Sequence, residues 1–88
     1  MKSTIEFIHK TLLEEWDPIG VRNIPEARDE YSQYVSDVYH IAKNHDTSTP
    51  LFDYLWNIET EYMGLKGNMK VTTLVAEKIF NHLNKRNI

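Results

Sequence analysis

Two segments of the chain place a carboxylate and a histidine three residues apart, which is the spacing of metal ligands in di-iron helical bundles. Glu6 and His9 form one pair, and Asp37 and His40 form the other. Such a site also needs a carboxylate from each of two further helices, with every ligand pointing inward. At about 100° per residue, Asp37 and His40 point away from the apolar stripe of their own helix. We therefore predict no metal site.

Glu59 is the carboxylate that the sequence pattern places among apolar side chains. It lies between two rows of one helical segment, and these rows consist of Leu51, Leu55, Ile58 and Tyr62 on one side and Phe52, Trp56 and Met63 on the other. Burial of an unpaired carboxylate is costly. We therefore expect Glu59 to be paired with Arg22 or Arg28, or to accept a hydrogen bond from a tyrosine hydroxyl. The alternative is that Glu59 forms the floor of a groove and binds a ligand or a partner.

The chain lacks the motifs of nucleotide-binding and nucleophilic enzymes. Its glycines, at positions 20, 64 and 67, cannot form a phosphate-binding loop or a dinucleotide fingerprint. The absence of cysteine excludes disulfides, thiolate zinc sites and a cysteine nucleophile. A chain of 88 residues also leaves little room for a deep catalytic pocket. The sequence thus predicts a protein that is not an enzyme, with no catalytic residue and no cofactor.

Apolar spacing predicts four helices and no strand. The helices are expected over residues 4–15, 23–44, 48–64 and 69–85. Pro18 ends the first helix near Trp16, because the residue before a proline avoids helical geometry. Gly64 followed by Leu65 is typical of a left-handed helix end. The sequence therefore predicts an all-α fold, a compact bundle of four short helices in a single domain spanning residues 1–88.

The last predicted helix has two apolar surfaces. Its main stripe consists of Met69, Thr72, Ala76, Ile79, Phe80 and Leu83, and three further apolar residues, Val71, Leu74 and Val75, lie off that stripe. An exposed apolar patch is typical of an association surface, so these three residues predict the contact of a homodimer. The alternative is that the start of this helix is buried on two sides.

The net charge of −3 is distributed unevenly along the chain. Residues 1–65 carry five Lys or Arg against twelve Asp or Glu, a net charge of −7, whereas residues 66–88 carry five against one, a net charge of +4. This asymmetry favours either charge complementarity within one fold or an acidic face that attracts a basic partner. An acidic body repels phosphate, so we expect no nucleic-acid partner. Because no apolar run approaches the roughly 20 residues of a membrane span, we also expect no membrane partner and a cytoplasmic location.

Tyrosines alternate with acidic residues along the second predicted helix. The tyrosines are Tyr31, Tyr34 and Tyr39, and the carboxylates are Asp29, Glu30 and Asp37. Tyrosine offers a rigid area with a polar tip, and it is enriched where proteins recognise one another. The pattern is compatible with a recognition surface. We favour the alternative, in which Tyr31 and Tyr34 belong to the core and Tyr39 alone is half exposed.

Three blocks of the sequence resemble a group of small bacterial proteins of unknown function, some of them phage-associated. The blocks are residues 16–21 (Trp-Asp-Pro-Ile-Gly-Val), Asp29-Glu30-Tyr31 with Tyr34, and residues 58–65 (Ile-Glu-Thr-Glu-Tyr-Met-Gly-Leu). Members of the group share a Trp-Asp-Pro-(Ile/Leu)-Gly turn after the first helix, and the resemblance covers about residues 5–65. It implies an all-helical fold and no particular activity. It also implies that one constellation is formed by Trp16, Asp17, Pro18, Gly20, Asp29, Glu30, Tyr31, Glu59 and Gly64.

These observations predict a small acidic helical protein that binds another protein of basic character, in the manner of an immunity protein or an antitoxin. The expected contact residues are Trp16, Asp17, Asp29, Glu30, Tyr31, Tyr34, Asp37 and Glu59. One alternative is a ligand- or metal-binding domain that uses an acidic cleft formed by Asp17, Asp29, Glu30 and Glu59. The other alternative is a structural homodimer.

Overall fold

The protein is a bundle of four α-helices in a computed structural model that describes residues 2–84, with side chains from Thr4 onward. The helices are α1 (Lys2–Thr11), α2 (Val35–Lys43), α3 (Thr49–Asn57) and α4 (Met69–Leu83). The described residues contain no strand, so the predicted all-α fold is confirmed. None of the helices in this range is long and apolar enough to cross a membrane.

One hydrophobic core joins the four helices. The largest buried aliphatic side chains come from every helical segment, and they are Ile8, Leu12, Val38, Leu51, Leu55 and Ile79. Helix α4 packs against α1, α2 and α3. Each helix has an apolar stripe that must be covered, and α4 covers part of the stripe of each of the other three.

The second helix is shorter than the sequence predicts. A helix was expected over 23–44, but α2 begins at Val35, and two 3₁₀ turns, Pro25–Ala27 and Ser32–Tyr34, precede it. Tyr31 lies between these turns with its side chain fully buried. Its hydroxyl binds the loop that follows the first helical segment. This tertiary contact overrides the helical propensity of the segment.

The first and third helices each end in a π-helical turn. The turn Leu12–Trp16 continues from α1, and the turn Ile58–Tyr62 continues from α3. The amide of the residue after each turn donates to the carbonyl oxygen of the turn's first residue, at 2.9 Å and 2.8 Å. These bonds join residues five apart instead of the four of an α-helix. Each π turn therefore changes which of its side chains face the core.

The predicted association patch on the last helix is wrong in its composition. Val75 is only 2 % exposed, and Val71 is half-buried against the core, so of the three residues Leu74 alone is exposed, at 57 %. The reason is that α4 packs against α3 and also against the Leu12–Trp16 turn. The start of α4 is therefore buried on two sides, as the alternative prediction had it. Met69, which was expected in the buried stripe, is exposed. The predicted end of this helix at residue 85 lies outside the described residues.

Candidate functional site

A cleft of about 640 Å³ opens between the Leu12–Trp16 turn and the start of α4. Its walls come from three stretches of chain, which are residues 15–23, Glu59, and residues 65–71. Trp16 and Glu59 are both buried, so they form its inner end. We call this space the Glu59 cleft.

Glu59 is held at the inner end of the cleft by three hydrogen bonds, although its side chain is only 3 % exposed. Its Oε1 accepts from the indole nitrogen of Trp16 at 3.0 Å and from the hydroxyl of Thr72 at 2.5 Å. Its Oε2 accepts from the backbone amide of Asn68 at 2.6 Å. Indole and backbone N–H groups only donate, so both oxygens act as acceptors.

The predicted hydrogen-bond and ion-pair partners of Glu59 are not the ones that the structure shows. Neither Arg22, Arg28 nor a tyrosine hydroxyl binds it. Within the described residues, the structure contains one ion pair, between Lys78 and Glu15, and it does not involve Glu59. A buried carboxylate is thus stabilised here by neutral donors. These bonds were not predicted, because nothing in the spacing of the sequence relates position 59 to Trp16 or Thr72.

The N-terminus of α4 supplies part of this stabilisation. Asn68 is the N-cap of α4, and its side-chain oxygen accepts from the amide of Val71 at 3.1 Å. The amide of Asn68 itself points to Glu59. The N-terminal end of a helix carries a partial positive charge, which favours a carboxylate at this position. The N-terminal end of α4 therefore stabilises the charge of Glu59, as a paired cation would, though only in part.

The connection from α3 to α4 fixes the position of the Asn68 amide. Gly64 has the predicted left-handed conformation, with φ +70°, and the amide of Leu65 donates to the carbonyl oxygen of Glu59 at 3.1 Å. Gly67 has φ +86°, and a Cβ atom at this position would lie 2.7 Å from the ring of Trp56. Only glycine tolerates both the conformation and this close approach. The end of the connection is therefore held against the helix that carries Glu59.

Asp17 organises the stretch of the cleft wall that follows Trp16. It is left-handed, with φ 31°, which no other non-glycine residue in the described range adopts. Its Oδ1 accepts from the amide of Val21 and from the hydroxyl of Tyr31, both at 2.8 Å, and its Oδ2 accepts from the amide of Arg22 at 3.1 Å. Burial raises the pKa of Tyr31, and its hydrogen bond to Asp17 raises it further. Asp17 is therefore committed to the turn rather than to a partner.

The predicted acidic cleft is wrong in two of its four residues. Asp17 and Glu59 line the Glu59 cleft, but Asp29 and Glu30 do not, and both are exposed elsewhere on the surface. They lie between two 3₁₀ turns, where a helix was expected. Without that helix, the chain does not carry them to Glu59. No group of three or more histidine and carboxylate side chains that could hold a metal ion occurs in the part of the chain that the structure describes.

Several expected contact residues lie in the core. Trp16, Tyr31 and Tyr34 are buried, and the ring of Trp16 packs at centroid distances of 5.4 Å from Tyr31 and 6.1 Å from Tyr34. Tyr39 is half-buried. The alternative in which Tyr31 and Tyr34 belong to the core is therefore the right one. The rings of Trp16 and Tyr31, like the carboxylate of Glu59, therefore lie too deep to contact the surface of a partner protein.

A second feature is a surface patch that we call the acidic tyrosine face, and it consists of Glu30, Tyr34, Asp37, Tyr54 and Tyr62. Tyr62 is 75 % exposed. Burial raises the pKa of Tyr34, and the neighbouring Tyr62 and Glu30 raise it further. Burial likewise raises the pKa of Tyr54, whose hydroxyl donates to Asp37 at 2.9 Å. Tyr34 also lies close enough to Tyr54 to affect its pKa, so the five residues form one patch.

Two residues of the acidic tyrosine face, Tyr54 and Tyr62, were not predicted from the sequence as contact residues. Tyr62 was expected in a buried row with Ile58, but the π turn that begins at Ile58 takes it out of that row. Tyr54 lies off both apolar rows of its segment. An aromatic residue outside the buried rows was the available signal for it.

The chain matches none of the known proteins with which it was compared. No protein-family model, no curated protein and no solved structure is similar to it. The resemblance to a bacterial group of unknown function stays a prediction. The function is therefore argued from geometry and charge.

Proposed function

We propose that this protein is a binding module for a basic protein and that the acidic tyrosine face is its contact surface. The observation that carries the proposal is Tyr62, which is 75 % exposed and close to Tyr34, the residue that also neighbours Glu30 and Tyr54. Tyrosine is one of the residues that dominate binding energy at protein interfaces. An exposed tyrosine beside carboxylates suits a partner that presents cations and an apolar contact.

The charge of the surrounding chain supports a basic partner. Residues 1–65 have a net charge of −7, and Glu30 and Asp37 are exposed, with Asp29 exposed beside Glu30 in the chain. Carboxylates on such a surface accelerate association with a positive protein and reject negative ones. The concrete form of the proposal is a masking protein that covers the positive surface of its partner, such as the nucleic-acid-binding surface of a nuclease.

The contact set of the proposal differs from the set expected from the sequence. Glu30 and Asp37 are retained, Tyr34 stays as the buried base of the patch, and Asp29 lies at their edge. Tyr54 and Tyr62 are added because they share the patch. The buried residues of the expected set act through the fold instead of touching a partner.

The experiment that tests the proposal is capture of partners from the lysate of the source cell at low and at high salt, followed by measurement with charge-reversed variants. We expect one basic protein that is retained at low salt and lost at high salt, because exposed charges are screened. The double substitution Glu30→Lys with Asp37→Lys should slow its association and reduce the salt dependence. Asp46→Lys is the matched control, since Asp46 is exposed in the α2–α3 connection, outside the patch. An acidic partner, or equal rates for all three proteins, would refute the proposal.

A further inference from the structure

The carboxylate of Glu59 has room for one more hydrogen bond. Carboxylates buried to this degree are ordinarily paired with a cation, yet Glu59 accepts only from the neutral groups of Trp16, Thr72 and Asn68. A carboxylate offers about four acceptor positions. Oε1 uses two and Oε2 uses one, so one position on Oε2 is left. A positively charged N–H donor would fill that position and balance the charge.

The cleft that Glu59 lines has the size of a small-molecule site. The Glu59 cleft measures about 640 Å³, within the roughly 300–1,000 Å³ that ligand pockets occupy. Trp16, Leu65 and Val71 are among the residues that line it. These walls suit an apolar group, and the indole ring also favours a cation near its face.

The charges of the cleft change sign from the inner end to the mouth. Glu59 is buried, whereas Arg22, Lys66 and Glu15 line the cleft and are exposed, so they lie at its mouth, where the charge of Glu15 is balanced by its ion pair with Lys78. The guanidinium of Arg22 donates to the carbonyl oxygen of Glu14 at 3.0 Å, which ties it to the edge of the cleft. A bare cation would be repelled by the mouth, and a bare anion by the inner end. A molecule that carries both charges matches both.

Unusual backbone geometry is concentrated at the walls of the cleft. Trp16 and Glu59 each belong to a π-helical turn, a rare element that is found frequently at functional sites. Asp17, on the wall, has the left-handed conformation that non-glycine residues avoid, and such strain also concentrates at functional sites. Three unusual backbone features therefore meet at one cleft.

We propose that the Glu59 cleft binds a small zwitterionic amine with an apolar body, the chemical class of the apolar α-amino acids. The ammonium group donates to Oε2 of Glu59, and the apolar body lies along Trp16, Leu65 and Val71. The carboxylate lies toward Arg22 and Lys66. This site does not depend on the acidic tyrosine face, and neither proposal requires the other.

The test is a titration of the full chain with L-leucine, L-methionine and L-phenylalanine, followed by nuclear magnetic resonance. The chain has two tryptophans, and Trp56 does not line the cleft. A ligand in the cleft should shift the indole N–H signal of Trp16 and leave that of Trp56 in place. At about ten times a Kd of about 1 mM, the melting temperature should also rise by about 5 °C or more.

Two leucine analogues test which charges are recognised. N-acetyl-L-leucine lacks the ammonium group, and we expect it to produce neither the indole shift nor the rise in melting temperature. 3-Methylbutylamine lacks the carboxylate, and we expect it to bind about tenfold more weakly than leucine. Equal binding of leucine and N-acetyl-L-leucine would overturn the assignment of the ammonium group to Glu59.

Variants connect the binding to the named residues. Glu59→Gln should abolish the response to leucine, whereas Glu61→Gln, which changes an exposed neighbour outside the cleft, should preserve it. Because Glu59→Gln alters a buried group, Lys66→Gln provides an exposed second test. It should weaken leucine binding but strengthen the binding of 3-methylbutylamine slightly, because one positive charge that repels the bare ammonium ion is removed. No response of the Trp16 indole signal to any of the three amino acids would overturn the proposal.

Discussion

The buried carboxylate of Glu59 is the residue on which the fold and the cleft both depend. Three neutral donors, from Trp16, Thr72 and Asn68, surround it, and they come from the first helical segment, from α4 and from the residue that caps α4. The bond network thus joins three parts of the chain. Removal of any donor leaves part of a buried charge unsatisfied, which costs more than the loss of a hydrogen bond on the surface.

Thr72→Val should lower the free energy of unfolding by about 1.5–3 kcal/mol, because it deletes a buried bond to a charged group and keeps the shape of the side chain. The matched control is Thr73→Val, one residue along α4, where the side chain is half-buried and the change should stay within about 0.5 kcal/mol. Urea unfolding of both variants measures the difference. Equal losses would show that Thr72 contributes through packing alone.

Alkaline pH should destabilise the protein through its buried tyrosines. Burial raises the pKa of Tyr31 and Tyr54 above the ordinary value of 10.0, and hydrogen bonds to carboxylates raise both further. The unfolded chain loses these protons near pH 10 while the folded chain keeps them, so the contribution to stability is complete below pH 10 and is lost as the pH rises beyond it. The free energy of unfolding, measured by urea titration from pH 8 to 11, should fall less steeply in Tyr54→Phe. If the free energy of unfolding of Tyr54→Phe fell with pH as steeply as that of the wild-type protein, Tyr54 would not contribute to the alkaline loss of stability.

At the scale of elements, the two π turns determine which side chains face the cleft. They end the first and third helical segments, and they bring Trp16 and Glu59 into contact. The number of helices and the left-handed end at Gly64 followed from apolar spacing and from glycine, which are local signals. The π turns and the 3₁₀ segment before α2 did not follow, because tertiary contacts such as the hydroxyl of Tyr31 on Asp17 impose them. The exposure of Tyr62 could not be predicted for the same reason.

Gly67, in the α3–α4 connection, should tolerate substitution far less well than Gly20, in the loop after the Leu12–Trp16 turn. Gly67→Ala introduces a Cβ atom 2.7 Å from Trp56 in addition to the strain of φ +86°, and we expect a loss of about 2–3 kcal/mol. Gly20→Ala is the control, because φ is +72° there and no atom lies within 4 Å. It should cost about 1 kcal/mol. The free energy of unfolding of both variants is measured in urea. Equal losses would mean that the ring of Trp56 moves away from the new Cβ atom at no cost.

At the scale of the whole molecule, charge and shape separate two binding regions. The acidic tyrosine face presents Tyr62 and carboxylates on the outside, whereas the Glu59 cleft places its carboxylate inside and its cations at the mouth. The first arrangement suits a protein surface and the second a small zwitterion. Because Tyr62 does not line the cleft, each region can be altered without changing the other.

The measurement that tests the central claim most directly is the Kd of the captured basic partner for the wild-type protein and for Tyr62→Ala. Leu74→Ala is the matched control, since Leu74 is also an exposed apolar side chain but lies on α4, outside the face. We predict that Tyr62→Ala weakens binding by about 30-fold, the loss typical of a dominant interface residue, and that Leu74→Ala leaves the Kd unchanged. An unchanged Kd for Tyr62→Ala would show that the acidic tyrosine face is not the contact surface.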